Sequence, residues 1–143
     1  MSEILVGVDR SEHSRRAVEF ATLRAQQLHR SVVIVHVIPW SPYSFNTPDE
    51  NEHRHERREA ELKAATEQII EPLAALARET GVDVDTVVRH GDPVDTLIAM
   101  VQERGSEHIV LGRTGDSRMR RAFFGSLPSQ MVLHAPVPVT VVP

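Results

Sequence analysis

The sequence contains no cysteine, and this absence removes two classes of small protein. Without thiols the chain forms neither a disulfide framework nor a cysteine-ligated zinc site. No apolar run approaches the roughly 18 residues that a membrane-spanning helix needs. The first residues, MSEILVGVDR, lack the basic segment and long apolar core of a signal peptide. We therefore expect a cytoplasmic protein without membrane association.

The chain also lacks a large excess of charge of either sign. Sixteen basic and 20 acidic residues give a formal net charge of -4 over 143 residues. So small a charge gives no whole-chain signature of nucleic-acid binding. A chain of this length can bury a hydrophobic core without stabilisation by disulfides or metals. Nothing in the sequence marks a repeat or an internal domain boundary. Residues 1–143 are therefore expected to form one domain.

Hydrophobic residues follow two alternating patterns along the chain. Short apolar, β-branched runs typical of buried strands alternate with segments whose apolar residues recur every three or four positions, as in helices. The predicted strands are Ile4–Val8, Val32–Ile38, Val82–Val88, His108–Leu111 and Val137–Val142, and a last short helix is predicted over Ser126–Leu133. This alternation predicts a single doubly wound, five-stranded parallel sheet with helices on both faces, a Rossmann-like α/β fold.

Local signals mark where the helices begin and end. Thr47 followed by Pro48 is typical of a helix start, and Asp92 followed by Pro93 is another. Gly105 is expected to end the helix that Pro93 begins. Proline at position 72 removes a backbone donor inside a helical pattern, which predicts a kink there.

The segment LGRTGDSRMRRAFFGSLPSQ follows the fourth predicted strand and contains Gly112, Gly115 and Gly125. Ligands of such folds bind beyond the carboxyl ends of the strands, and Asp9 ends the first strand at that same edge. Glycines let the backbone approach a phosphate, and a helix starting near Ser126 adds free N–H groups. The spacing matches neither a P-loop nor a GxGxxG fingerprint, so a surface loop without a ligand is the alternative.

The pattern Gly112-x2-Gly115-x9-Gly125-Ser126 resembles the nucleotide-binding signature of the universal stress protein family, G-x2-G-x9-G-(S/T). The similarity extends along the whole chain, through ILVGVDRS at 4–11, GDP at 91–93, HIVLG at 108–112 and APVPV at 135–139. Five such matches, in the family's order and at its spacing, are strong evidence of the resemblance. The sequence is therefore identified as a member of that family.

The resemblance implies a strand order 3-2-1-4-5 and an ATP site where the first and fourth strands meet. The residues that it assigns are Gly7, Asp9 and Val37 for the adenine, Gly112 for the ribose, and Gly115, Gly125 and Ser126 for the phosphates. A divalent cation such as Mg would be held through the phosphates, without protein side chains. The resemblance also implies homodimerisation through the last strand, Val137–Val142, and a role in stress response with slow or no ATP hydrolysis.

Two positions depart from the family pattern. Arg10 stands where the family usually has glycine, and Pro128 replaces a serine or threonine. Proline removes a hydroxyl and also a backbone N–H in a helix turn that would face phosphate. A family member that binds no nucleotide and works through protein contacts is therefore one alternative to an ATP-binding regulatory protein.

Other polar residues are also functional candidates. Arg113 lies inside the G-x2-G turn, where its guanidinium is expected to reach a phosphate. The remaining arginines of the loop are expected to be solvated surface residues; they are Arg118, Arg120 and Arg121. His53 and His55 are two positions apart and point to different sides of a helix, so they predict a charged face rather than a metal site.

The sequence offers little support for catalysis. There is no G-x-S-x-G elbow, and nothing fixes a nucleophile beside a base. His36, within VVIVHVI, is expected to be a core or sheet-end histidine. A slow ATPase is the remaining enzymatic alternative, with Asp9, His13 and Asp116 nearest to the expected phosphates. The sequence leaves open the choice among ATP, ADP and AMP, and also the protein partner.

Overall fold

The computed structural model describes residues 2–39, 48–113 and 126–143, without the side chains of 48–52. The strands are β1 (Glu3–Gly7), β2 (Ser31–Ile38), β3 (Val84–His90), β4 (His108–Gly112) and β5 (Val139–Val142). The helices are α1 (Glu12–Leu28), α2 (Pro48–Ala65), α3 (Glu71–Arg78), α4 (Pro93–Arg104) and α5 (Leu127–His134). None of the helices described is long and apolar enough to cross a membrane. Each predicted strand is present, with ends displaced by at most two residues.

All five strands are parallel, in the order β3-β2-β1-β4-β5. Gly7, the last residue of β1, lies beside Val35 of β2 on one side and Leu111 of β4 on the other. The chain therefore winds outward in one direction through β2 and β3 and then crosses to the opposite side of β1. This arrangement confirms the predicted fold and strand order.

Two hydrophobic cores lie on the two faces of the sheet. Because successive strand residues point to opposite faces, Ile4 and Val6 of β1 join one core while Leu5 joins the other. The first core, the upper core, packs against α1, α3 and the end of α2. The second, the lower core, packs against α4 and α5. Every one of these three β1 side chains is fully buried.

Local signals in the sequence explain several helix ends. Asp92 caps α4, since its Oδ2 accepts a hydrogen bond of 3.0 Å from the Asp95 N–H. Gly105 ends the same helix with a φ of +66°, a conformation in which glycine is favoured. α1 instead ends on His29, which adopts a φ of +54° without being glycine. The first two ends confirm predictions, whereas no sequence signal predicted the third.

The disruption predicted at Pro72 takes the form of a π-helical turn, Thr66–Ile70, between α2 and α3. The Glu71 N–H donates to the Thr66 carbonyl, five residues back. A wider turn accommodates the proline, whose ring clashes with the preceding turn of a regular helix. α2 begins at Pro48, as predicted, while its predicted cap Thr47 lies outside the described residues.

β5 is shorter than predicted at its start. It begins at Val139 rather than Val137, because Pro136 and Pro138 have no backbone N–H to donate to β4. The Pro138 carbonyl still accepts a hydrogen bond of 3.0 Å from the Ile109 N–H. β5 is an edge strand of the described sheet, so its outer side is unpaired there.

An ion-pair network joins distant segments at the amino edge of the sheet. Arg104 donates to both carboxylate oxygens of Glu3, at 2.7 and 2.9 Å, and to Asp85 at 2.7 Å. Arg30 donates to Glu107 at 2.6 Å nearby. These contacts bind the amino ends of β1 and β3 to the end of α4.

Candidate functional site

Several residues predicted to bind nucleotide converge at the carboxyl edge of the sheet. Gly7 and Gly112 end the adjacent strands β1 and β4, and Val37 lies near the end of β2. Asp9 follows β1 directly. Because α5 connects β4 to the parallel strand β5, its N-terminal cap Ser126 also lies at this edge. Ligand crevices of open α/β sheets form here, where the winding reverses between β1 and β4.

Part of the predicted site lies outside the described residues. Gly115 and Gly125, both assigned to the phosphates, fall there. The same holds for Asp116 and for the three arginines of the loop, Arg118, Arg120 and Arg121. Their assignments therefore stay predictions.

The Asp9 carboxylate closes a tight turn between β1 and α1. Its Oδ1 accepts hydrogen bonds from the Ser11 N–H at 2.8 Å and from the Ser14 hydroxyl at 2.9 Å. The Ser14 Oγ in turn accepts from the Asp9 N–H at 2.7 Å. Asp9 is half-buried, and its Oδ2 has no hydrogen-bond donor in the described part of the chain. One carboxylate oxygen therefore builds the turn and the other is available to a ligand donor.

Arg10 fits into this turn without strain. The resemblance leads one to expect glycine there, yet among described non-glycine residues only His29 has a positive φ. The Arg10 backbone therefore needs no conformation reserved for glycine. Its side chain is exposed. This departure from the family pattern leaves the Asp9 turn intact.

Gly112 brings the end of β4 against the first turn of α1. A Cβ atom at position 112 would lie 2.7 Å from the His13 Cβ and 2.9 Å from the His13 carbonyl carbon and oxygen. These distances are too short for any side chain, so the close approach requires glycine here. A Cβ at Gly7 would instead lie 2.7 Å from Leu111 Cδ2, the flexible end of a side chain. Gly112 thus brings the end of β4 against the start of α1.

His13 carries an unpaired polar atom at this junction. Its Nδ1 is buried and has no hydrogen-bond partner in the parts of the chain that the structure describes. Buried polar atoms of native proteins are bonded in the great majority of cases, so each exception calls for a partner. The sequence suggests His13 only as an acid or base candidate for a slow ATPase. Its contact with Gly112 was not foreseen, because no local pattern signals it.

The start of α5 shows how the chain accommodates Pro128. Ser126 is the N-cap: its Oγ accepts from the Ser129 N–H at 3.4 Å and lies 3.0 Å from the Ser129 hydroxyl. Pro128 is the second helical residue and is buried, a position where the missing N–H does not break the helix. The Ser129 hydroxyl therefore lies beside that of Ser126, and the helix start retains two hydroxyl groups.

Arg113 and Val37 complete the described edge. The Arg113 N–H donates to the Val142 carbonyl at 2.7 Å, and its side chain is exposed, with no ion pair to any residue described. Its guanidinium is thus available to an anion. Val37 is half-buried and packs against the lower core, so it provides apolar surface near the end of β2.

The histidines of α2 do not gather into a metal site. His55 Nε2 lies 3.1 Å from Glu59 one turn further along, and both side chains are largely exposed. His53 is exposed too. Within residues 2–39, 48–113 and 126–143, no three His, Cys, Asp or Glu side chains are grouped so that they could hold a metal ion.

The strand order and the reversal of winding between β1 and β4 define a doubly wound α/β protein, with polar groups gathered at its switch point. The model of the Universal stress protein family matches residues 1–143, and the chain belongs to that family. It is 31% identical over 153 residues to universal stress protein Mb2019 of Mycobacterium bovis, an alignment that covers 98% of this chain and 47% of that protein. The chain thus spans about half the length of the first curated relatives that it matches.

Solved structures share the fold. The universal stress protein UspA from Lactobacillus plantarum superposes with a TM-score of 0.82 at 27% identity, covering 99% of this chain and 97% of that one. An Archaeoglobus fulgidus universal stress protein in complex with dAMP gives 0.70 at 23% identity, covering 100% and 98%. A universal stress protein in complex with cAMP gives 0.72 at 22% identity, covering 99% and 95%.

Proposed function

We propose that this chain binds an adenine nucleotide, with ATP as the leading candidate, and acts as a regulatory binding module with little or no turnover. The observation that carries the proposal is the packing of Gly112 on His13. This contact holds the end of β4 against the turn that contains Asp9, at the reversal where such folds bind ligands. Two universal stress proteins that share the fold were solved with the adenine nucleotides dAMP and cAMP, which supports the choice of base.

The ends of β1 and β2 offer an acceptor and a donor to the base. Adenine has an amino donor beside a ring-nitrogen acceptor on its pairing edge. Asp9 Oδ2 is an acceptor for the amino group. The pairing of β1 with β2 ends at Gly7 and Val35, and the Val37 N–H is not bonded to the Val8 carbonyl. We assign this N–H to the ring nitrogen, with Gly7 bordering the base.

The phosphates extend toward α5 in this proposal. The hydroxyls of Ser126 and Ser129, the N-terminus of α5 and the Arg113 guanidinium would meet them, together with Gly115 and Gly125. Gly112 lies near the ribose. Magnesium, when bound through the phosphates, would neutralise part of their charge. The described side chains bind and orient the nucleotide and need not ligate the metal.

The hydrogen bonds of Asp9 favour binding over turnover. The Ser14 hydroxyl donates to the Asp9 carboxylate, an arrangement that can activate a nucleophile. Ser14, however, is only 3% exposed, and its oxygen already accepts the Asp9 N–H. The pair therefore closes a turn rather than presenting a reactive oxygen to a phosphate.

We also propose that the chain forms a homodimer through β5. The carbonyls of Pro138 and Val142 accept bonds from β4, so by alternation Val139 and Val141 direct their N–H and C=O groups outward. An antiparallel pair with Val139 of one copy opposite Val141 of the other, centred on Thr140, satisfies all of these groups under two-fold symmetry. A Val141→Pro variant, which removes an outward N–H, is expected to be monomeric in analytical ultracentrifugation. A dimer that persists unchanged would contradict this interface.

The first test of nucleotide binding is to denature freshly purified protein and identify released nucleotides by mass spectrometry. We expect an adenine nucleotide at a near-stoichiometric amount. Isothermal titration calorimetry of stripped protein with ATP, ADP and AMP, each with magnesium, then ranks the ligands, and GTP serves as the control for the base. Protein that is isolated empty and binds no adenine nucleotide would contradict the proposal and favour a role through protein contacts alone.

A further inference from the structure

The His36 side chain forms a hydrogen bond between the end of β2 and the chain just beyond β1. Its Nδ1 lies 2.7 Å from the Val8 carbonyl oxygen, and the ring is half-buried. The Val8 N–H donates to the Val35 carbonyl at 2.8 Å. β2 therefore bonds to both backbone groups of Val8: the Val35 carbonyl accepts from its N–H, and the His36 side chain contacts its carbonyl.

This contact replaces a backbone hydrogen bond. In a parallel ladder that continued one step further, the Val8 carbonyl would accept the Val37 N–H. Pairing instead stops at Gly7 and Val35, and the imidazole occupies the Val8 carbonyl. The strands can diverge here because the carbonyl keeps a donor, which a buried acceptor requires.

We propose that His36 is a positioning residue of the nucleotide site: by capping the Val8 carbonyl it keeps the Val37 N–H available to the ligand and holds Asp9 in place. The inference rests on the proposed adenine site, because Asp9 follows Val8 and Val37 follows His36. A single hydrogen bond thus joins the residues that precede both proposed adenine contacts. The bond leaves Asp9 Oδ2 and the Val37 N–H at adjacent strand ends.

The chemistry of the ring determines which substitutions are informative. A carbonyl oxygen only accepts, so Nδ1 carries the hydrogen in this contact. Nδ1 carries a hydrogen in the protonated ring too, so the contact does not depend on the charge of His36. An asparagine side chain can place an N–H donor close to the position of Nδ1, whereas leucine fills similar space and donates nothing.

The matched variants are therefore His36→Leu and His36→Asn, with His108→Leu as the control. His108 is also a half-buried sheet histidine, and its Nε2 lies 2.6 Å from the Thr140 hydroxyl, at the amino end of β4 and far from Asp9. Titration calorimetry with AMP is expected to show a loss of affinity of about tenfold in His36→Leu, since one hydrogen bond is removed and the ladder can close over the Val37 N–H. His36→Asn should recover most of the affinity, and His108→Leu should bind as the parent does.

Amide hydrogen exchange of the nucleotide-free protein tests the inference separately from binding. In the parent the Val37 amide should exchange faster than the Val35 amide, and in His36→Leu it should become protected as it bonds to Val8. A Val37 amide already protected in the parent, or equal affinity losses in His36→Leu and His108→Leu, would overturn the positioning role. If the parent binds no nucleotide at all, the proposed function fails, and the exchange result still decides whether His36 keeps the Val37 N–H free.

Discussion

At the amino edge of the sheet Arg104 bonds to Glu3 twice and to Asp85 once, whereas at the carboxyl edge several polar groups have no partner among the residues described. The unpaired groups are Asp9 Oδ2, His13 Nδ1 and the Arg113 guanidinium. Charges at the first edge are satisfied within the protein and contribute to stability. Groups at the second edge retain bonding capacity for a ligand. The same sheet thus has paired charges at one edge and, among the residues described, unpaired polar groups at the other.

The physical reason for the difference lies in the direction of the strands. At the amino edge β1, β3 and α4 place charged side chains close together, where they pair over large separations in sequence. At the carboxyl edge loops follow the strands and helix N-termini expose N–H groups, which favour anions. Substitutions at the amino edge should therefore change the free energy of unfolding, and those at the carboxyl edge should change ligand affinity.

The largest expected effect is at the amino edge, from Arg104→Met. Glu3 is only 9% exposed, so the substitution leaves a nearly buried carboxylate with the Ser106 hydroxyl, at 3.3 Å, as its remaining donor. We expect the free energy of unfolding in urea to fall by about 3 kcal/mol. Nucleotide affinity should be unchanged, because the proposed site lies at the other edge. A large loss of nucleotide affinity in the folded variant would contradict the proposal that the amino edge acts only on stability.

The next effect is at the carboxyl edge, from Asp9→Asn. Asparagine can keep an oxygen at the Oδ1 position for Ser11 and Ser14, but it replaces Oδ2 with an amino group that repels the amino donor of adenine. Calorimetry should show affinity for adenine nucleotides reduced by roughly 10- to 100-fold, the cost of a hydrogen bond to a charged group. The melting temperature without ligand should stay close to that of the parent. Unchanged affinity would remove Asp9 from the proposed site.

A smaller effect is expected at the start of α5, from Pro128→Ala. The substitution restores a backbone N–H in the first turn, where donors face the proposed phosphates. We expect affinity for ATP to rise about threefold and affinity for AMP to change less. Pro93→Ala, at the first position of α4, is the matched control and should alter neither. An equal gain for ATP and AMP would place the phosphates away from α5.

The smallest effect is a pH dependence at the amino edge. The hydrogen bond from Arg104 lowers the pKa of the Asp85 carboxyl below its usual value, although partial burial opposes the shift. Its stabilising contribution is therefore fully present above the unfolded-state pKa, about 3.9, and is lost as the pH falls through the lower folded-state pKa. The Asp85 side chain is 61% exposed, so Asp85→Asn should cost less than about 1 kcal/mol at pH 6.

Urea unfolding of the parent and of Asp85→Asn between pH 6 and pH 2.5 measures this contribution. The difference in unfolding free energy between the two proteins should shrink as the pH falls below about 3.9. A difference that stays constant over this range would show that Asp85 does not stabilise the fold through its charge.

Much of the fold follows from local sequence patterns. Apolar runs such as ILVGV and VVIVHVI predicted buried strands because a parallel sheet buries both faces. Asp92 and Gly105 predicted the ends of α4 because capping depends on residues within one turn. His29 was missed, since its left-handed conformation carries no glycine signal.

The candidate site was predictable only in outline. The glycine spacing and the strand ends indicated which edge would bind a ligand, and the family resemblance indicated which residues. The contact of Gly112 with His13 and the bond from His36 to Val8 were not predictable, because they join positions 99 and 28 residues apart. Patterns of neighbouring residues do not predict contacts between residues so far apart in the sequence.

The sequence by itself determined the alternation of strands and helices and the caps of α4 at Asp92 and Gly105, since each depends on residues a few positions apart. Only the tertiary structure decided which polar groups are paired within the protein and which remain available to a ligand. Arg104 pairs with Glu3, 101 residues away. The Asp9 carboxylate bonds to Ser11 and Ser14 through Oδ1 and keeps Oδ2 unbonded among the residues described. Whether a polar group is satisfied depends on distance in space, which the folded chain alone establishes.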